Sequence, residues 1–141
     1  MDIVVLDTET TGLDYRKGHR VIEIGCILLK NRRVTSEIFH CYINPQRQID
    51  PEALKIHGIT DQFLKDKPAF CDIQDDLLKF VSGREVVIHN APFDIGFLNN
   101  ELEIAANNSR IEDFCKVIDS LQISREMHPG QRNSLDALCR R

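Results

Sequence analysis

The chain has 141 residues, 42% of them hydrophobic and 28% charged, which suits one globular domain large enough to bury a continuous core. A formal charge of −4 speaks against a protein that coats nucleic acid by bulk electrostatics, since that needs Lys and Arg to displace counterions, but leaves room for an enzyme that grips a strand end. Five scattered cysteines without a CxxC pair, no apolar stretch of bilayer length, and no basic segment before the apolar run of MDIVVLD make a disulfide framework, a zinc site, a membrane span and a signal peptide unexpected, and a cytoplasmic protein expected.

The first element is IVVL at 3–6, a short continuous apolar run that predicts a central strand buried on both faces. In VIEIGCILL at 21–29 the two-residue period places Ile22, Ile24, Cys26 and Leu28 on one face, and Asn31 offers a turn into a third extended run, IFHCYI at 38–43. These read as an antiparallel hairpin flanking strand one. Between Asn44 and Pro68, the breaks at Pro45, Pro51 and Gly58 predict turns around one short helix, Glu52 to Ile56. Ile73, Leu77, Phe80 and Val81 recur at helical spacing and predict a helix near 72–82, with Gly83 as its C-terminal cap.

A fourth strand is expected at EVVIHN, 85–90, followed by a helix that begins near Pro92 and buries Ile95, Leu98, Leu102 and Ala105. CKVIDS at 115–120 reads as a fifth strand, and helical patterns follow at Leu121 to Met127 and from Ser134, separated by Pro129-Gly130. Basic clusters at Arg16-Lys17-His19-Arg20, Lys30-Arg32-Arg33 and Arg125-His128-Arg132 read, each taken alone, as solvated surface charge. The order predicts an α/β domain in which an antiparallel hairpin joins a parallel half.

Ligands of such sheets gather at strand carboxyl ends, where Asp7 and Glu9 close strand one and Asp94 follows strand four. Residues i and i+2 of a strand point to one side, so Asp7 and Glu9 are expected to project together while Thr8 faces away. Adding Asp94 crowds a third like charge into the same volume, which is unfavourable unless a cation screens the group. Hard oxygen ligands suit Mg²⁺ or Mn²⁺, and a pair of such ions serves in-line phosphoryl displacement. A bare DxE is a weak signal, whose bland reading is a solvated strand end before the Thr11-Gly12 turn.

Context adds to it. LDTETTGLD after a buried strand, with HNAPFD after a second, resembles the first two motifs of the DEDD exonuclease superfamily. PEALKIHGITDQFLKDKPAF, VVIHNAPFDIGFLNNEL, FCKVIDSL and PGQRNSLDALC extend the resemblance along the chain to its DnaQ-like group, that of the proofreading epsilon subunits of bacterial DNA polymerase III. The resemblance implies an RNase H-like fold, a mixed five-stranded sheet flanked by helices, forming an exonuclease domain over 1–141. It implies 3′→5′ hydrolysis at a single-stranded or frayed 3′ end of DNA with two divalent ions, Mg²⁺ or Mn²⁺. The polymerase alpha subunit is the partner it implies for the complete protein.

Residue by residue, the resemblance assigns Asp7, Glu9 and Asp94 as catalytic metal ligands, and Asp7, Glu9, Glu52 and His57 to the terminal nucleotide. Read without it, Glu52 is an acid favoured at a helix start and His57 a loop residue before Gly58. His89 and Asn90 either stitch the strand end to the helix or touch substrate, Phe93 is expected in the core, and Asp119 in a structural role. The family's last motif is a His followed five residues later by an Asp, beyond the SLDALC segment. The sequence stops at Arg141 without it, and His128 is followed at that spacing by Asn133. The expectation is therefore a domain shortened at its C-terminus, lacking the general base and fourth ligand, with impaired catalysis. A catalytically silent metal- or nucleic-acid-binding scaffold and an RNA-trimming exonuclease are the alternatives, although no residue stands out as a sensor of a 2′-hydroxyl.

Overall fold

A computed structural model describes residues 2–127. The helix expected from Ser134, His128 and Arg132 of the third basic cluster, and the position compared with the last motif lie outside the described residues. Five strands, β1 (Asp2–Thr10), β2 (Val21–Lys30), β3 (Arg33–Tyr42), β4 (Glu85–Ile88) and β5 (Lys116–Asp119), form one sheet in the order β3-β2-β1-β4-β5. β1 pairs antiparallel with β2, and β2 with β3; β1–β4 and β4–β5 are parallel. This is the mixed, RNase H-like arrangement expected, with β1 at its centre.

Helices α1 (Pro51–His57), α2 (Asp61–Leu64), α3 (Phe70–Val81), α4 (Ala91–Ile104) and α5 (Ser120–Met127) are accompanied by two short 3-10 turns, Tyr15–Lys17 and Ile111–Asp113. None is long and apolar enough to cross a membrane. The main core packs Leu77, Val81, Leu98 and Leu102 of α3 and α4 against Val4, Leu6, Ile24 and Val86 of the sheet. Period-2 alternation decides which strand residues take part: Val4 and Leu6 are buried, but Val5 between them is 42% exposed. β1 is thus central without being buried on both faces. Its partner Ile27 and the next residue in register, Ile38, are 42% and 61% exposed, so the second face is apolar and open among the described residues.

Three local features depart from the sequence reading. Glu9 pairs with Glu23 but Thr10 with Val21, a bulge that turns Ile22 out of the main core into a small cluster with Ile49 and Leu64. β3 begins at Arg33 because Asn31 and Arg32 both adopt positive φ, 52° and 67°, the backbone of a tight hairpin turn. Its first half was unreadable because an edge strand exposes both faces. A second helix, α2, follows α1: the Thr60 side chain accepts a hydrogen bond from Phe63 N at 3.1 Å and starts a single turn.

α3 starts at Phe70, two residues before the expected boundary, since Asp72 accepts the Ala69 N–H at 3.1 Å and so caps the preceding turn. Gly83 takes φ of 74°, as a helix terminator should. Cys26, Cys41, Cys71 and Cys115 are free thiols, and burial pushes the Cys26 thiol up to about 12, which makes it a packing residue.

Core and surface should respond differently to truncation. Leu77→Ala in α3 is expected to destabilise the protein by about 2–5 kcal/mol, whereas Val34→Thr on the exposed edge should stay within about 0.5 kcal/mol. Urea denaturation followed by circular dichroism measures both.

Candidate active site

The end of β1 gathers charge that the fold does not neutralise. Asp7 is exposed and Glu9 half-buried on one side of the strand, while Thr8 and Thr10 are buried on the other. Across the ladder Glu9 stands opposite Glu23, a like-charge pair that is unfavourable by itself, and Asp7 stands opposite Gly25. Burial raises the pKa of both acids; Glu23 adds to the rise at Asp7, and Asp7 adds to it at Glu9. His89 acts in the opposite sense on Asp7.

Asp94 enters from the first turn of α4 and is 5% exposed. Burial, followed by the charge of Asp7, pushes its carboxyl up to about 7. Thr8 opposes part of that rise, so it stands beside Asp94 and is not clear of the acids as the strand period had suggested. Thr8 Oγ1 and Asp94 Oδ2 are buried without a well-formed hydrogen bond, although the Thr8 hydroxyl and amide stand near enough to Asp94 to oppose part of the rise. The structure therefore brings Asp7, Glu9 and Asp94 into electrostatic contact. Among the described residues it does not close any three His, Cys, Asp or Glu side chains into a ready-made metal-ligand set. A hard cation fits the donor chemistry: three carboxylates, one with a buried and unbonded oxygen.

Beside the acids lies a cleft of about 380 Å³ lined by Glu9, Leu13, Glu52, Ile56, His57 and Phe93, among others. Of the four residues that the resemblance assigns to the terminal nucleotide, Glu9, Glu52 and His57 line this cleft and Asp7 does not. The Glu52 side chain is 83% exposed, 3.6 Å from Lys55. His57 is anchored: Ile59 N donates to Nδ1 at 3.0 Å, so Nδ1 carries no proton and Nε2–H donates to the carbonyl of Thr10 at 3.1 Å. With both ring nitrogens engaged, His57 ties α1 to the end of β1 and offers the cleft its ring edge and face.

Leu13 and Ile56, 82% and 78% exposed, are cleft residues that the sequence did not reveal. A single exposed apolar side chain is ordinary, and these two become informative only when the fold sets them on one cleft. Phe93 does more than the core role expected of it, since it packs on Phe97 at 4.9 Å and also lines the cleft.

The rim is held by Thr11, whose Oγ1 shares a hydrogen bond with His19 Nδ1 at 2.8 Å. Gly12 leaves room for that ring, because a Cβ there would lie 2.4 Å from it. On the other flank, Asp119 accepts from Asn90 N and Leu121 N, each at 3.0 Å, which is the structural role expected. His89 Nδ1 shares a hydrogen bond with Ser120 Oγ at 3.1 Å, so His89 and Asn90 join the end of β4 to the end of β5 and the start of α5.

A mixed sheet in this order, with paired acids at the end of its central strand and a third acid at the start of the helix after β4, is an RNase H-like fold with an acidic centre. The chain belongs to the exonuclease family, whose sequence profile matches residues 4–141. It is similar to the DNA polymerase III subunit epsilon of Salmonella typhimurium, 51% identical over 143 residues, an alignment that covers 98% of this chain and 59% of that protein. The chain thus spans about three fifths of the length of such relatives. Among solved structures, exonuclease X in complex with 5′ overhanging duplex DNA superposes with a TM-score of 0.76 at 26% identity, covering 98% of this chain and 71% of that one. Exonuclease I, at 18% identity and a TM-score of 0.83, covers 99% of this chain and 35% of its own, and shares the fold.

Two outcomes follow for the metal-free protein. Because the folded pKa of Asp94 lies above its unfolded value of 3.8, the native state holds the extra proton, and stability should fall as pH rises from about 4 through about 7. Asp94→Asn should remove most of that slope, an effect of up to about 3–4 kcal/mol at neutral pH; thermal melts across this range measure it. His57→Ala should cost about 1–3 kcal/mol by leaving the Ile59 amide and the Thr10 carbonyl without their partner, read by urea denaturation.

Proposed function

We propose that residues 1–141 form one exonuclease domain that removes nucleotides from the 3′ end of single-stranded or frayed DNA by phosphodiester hydrolysis. Asp7, Glu9 and Asp94 hold two divalent cations, Mg²⁺ or Mn²⁺. The observation that carries this is the Asp94 carboxyl, buried, pushed up to about 7 beside Asp7, and left with an unbonded oxygen. A buried acid in that state lacks a counter-charge, and a divalent ion is the counter-charge a carboxylate cluster takes. When bound, such ions orient and activate water and stabilise the leaving oxygen.

The chain's own residues do the rest. Asp7 and Glu9 present oxygens from a rigid central strand, and Asp94 presents its own from the first turn of α4. Leu13, Ile56 and Phe93 give the terminal base an apolar seat that reads no sequence, as a trimming enzyme requires. Glu52 lies at the cleft wall to meet sugar hydroxyls, and His57 sets α1 against β1 so that the wall keeps its place. Likeness to epsilon subunits supports DNA proofreading as the task, a polymerase alpha subunit as the partner of the full-length protein, and the cytoplasm as the location.

The test measures Mn²⁺ binding calorimetrically and assays the protein on a 3′-mismatched primer with Mg²⁺ or Mn²⁺, beside an RNA of the same sequence. Metal-dependent release of nucleoside 5′-monophosphates from DNA is expected. Asp7→Ala and Asp94→Asn should each lower the rate at least about 100-fold, since a metal contributes several kcal/mol of transition-state stabilisation. Metal uptake without turnover would instead favour a binding scaffold, and faster turnover of RNA an RNA-trimming enzyme.

A further inference from the structure

Arg20 is bonded to the residue that follows β1 and to α4. Its backbone is laced to the residue after the TET segment: Thr11 N donates to the Arg20 carbonyl at 2.8 Å, and Arg20 N donates to Thr11 Oγ1 at 3.0 Å. Its side chain reaches α4, where Nε and Nη2 donate to the two oxygens of Glu101 at 2.9 and 2.6 Å. Glu101 also accepts Val21 N at 3.0 Å, and its side chain is 1% exposed. Asp94 and Glu101 are seven residues apart, close to two helical turns, so they lie on one side of α4.

The same loop leans on α4 a second time. Tyr15 packs edge-on against Phe97 at 5.7 Å, and its ring lies 2.7 Å from where a Cβ of residue 96 would be, the close approach that Gly96 permits. Stability alone is a poor account of a buried ion pair, because desolvation offsets much of its attraction; the best-attested use of such a pair is to set register. Leu98 and Leu102 already bury this side of α4 by apolar packing.

We propose that the Arg20–Glu101 pair positions the site, setting where α4 presents Asp94 against the end of β1. It rests on the reading of Asp7, Glu9 and Asp94 as metal ligands. Neither residue touches the reacting atoms; both act through the helix and the strand. Arg20 was legible in the sequence only as one member of a basic cluster, and its partner lies 81 residues away.

Two variants test this. Arg20→Lys keeps a charge beside Glu101 but loses the planar fork that takes both oxygens. R20M/E101Q removes the ion pair, while the glutamine oxygen remains able to accept Val21 N. Replacing a buried pair by uncharged groups is often near neutral for stability, so a purely structural pair predicts an unchanged site once the variant folds. The positioning role predicts that Mn²⁺ affinity, by calorimetry, falls about 10- to 100-fold in a folded variant, the usual loss when the support of a metal ligand is removed. It also predicts that crystal structures show Asp94 moved from its place against Thr8.

A folded variant with wild-type Mn²⁺ affinity and an unmoved Asp94 overturns the proposal. Failure of both variants to fold overturns it too, by making the pair a stability element. Absence of Mn²⁺ uptake by the unaltered protein would sink the metal-ligand reading by itself; the crystallographic position of Asp94 in the variants then decides the positioning role alone.

Discussion

Mutual repulsion among Asp7, Glu9 and Asp94 is the constraint that the surrounding structure has to meet. Burial raises the pKa of each, and the charge of Asp7 raises the other two further. Left to themselves, such side chains would turn to solvent or the elements would separate. Asp7 and Glu9 cannot leave, because β1 is paired on both edges, by β2 and by β4. Asp94 cannot leave, because Leu98 and Leu102 hold α4 in the core. Strand pairing and apolar packing thus maintain an electrostatically unfavourable arrangement, the kind of strain that clusters at functional sites.

The polar contacts around this centre divide by what they join. Asp119 accepts amides from either side of the β4–β5 end, and so fixes the turn that launches α4. His57 fastens α1 to the Thr10 carbonyl, which fixes one wall of the cleft. Thr11 holds His19 and the Arg20 amide, fixing the rim. Each contact is individually modest, but Asn90 N, the Thr10 carbonyl and Thr11 all lie within a few residues of an acid, where a small displacement matters most.

The two faces of the sheet are unequal for a related reason. α3 and α4 cover the face that carries Val4 and Leu6, while the face with Val5, Ile27 and Ile38 is more exposed among the described residues. Asp7 and Glu9 share the side of β1 on which Val5 lies. The acidic side of the strand therefore continues directly into apolar surface, and the cleft with Leu13 and Ile56 adds apolar walls at its end. In the proposed function the charge would serve the reacting phosphate and the apolar surface the bases, the division that single-stranded nucleic acid favours.

Local physics made much of this legible in advance. The two-residue period of a strand placed Asp7 and Glu9 together, helical spacing found α3 and α4, and Gly83 marked a helix end, because these depend on neighbours in sequence. Tertiary structure alone decided that Ile22 leaves the main core at a bulge, that Val5 stays partly exposed, and that Thr8 meets Asp94. It alone joined Arg20 to Glu101 across 81 positions and His57 to Thr10 across 47. Such pairings depend on how whole elements pack, and packing distances carry no imprint in the local pattern of a single chain. The sequence determined which chemical groups the site has and which elements carry them; the fold decided how near they stand and what holds them there.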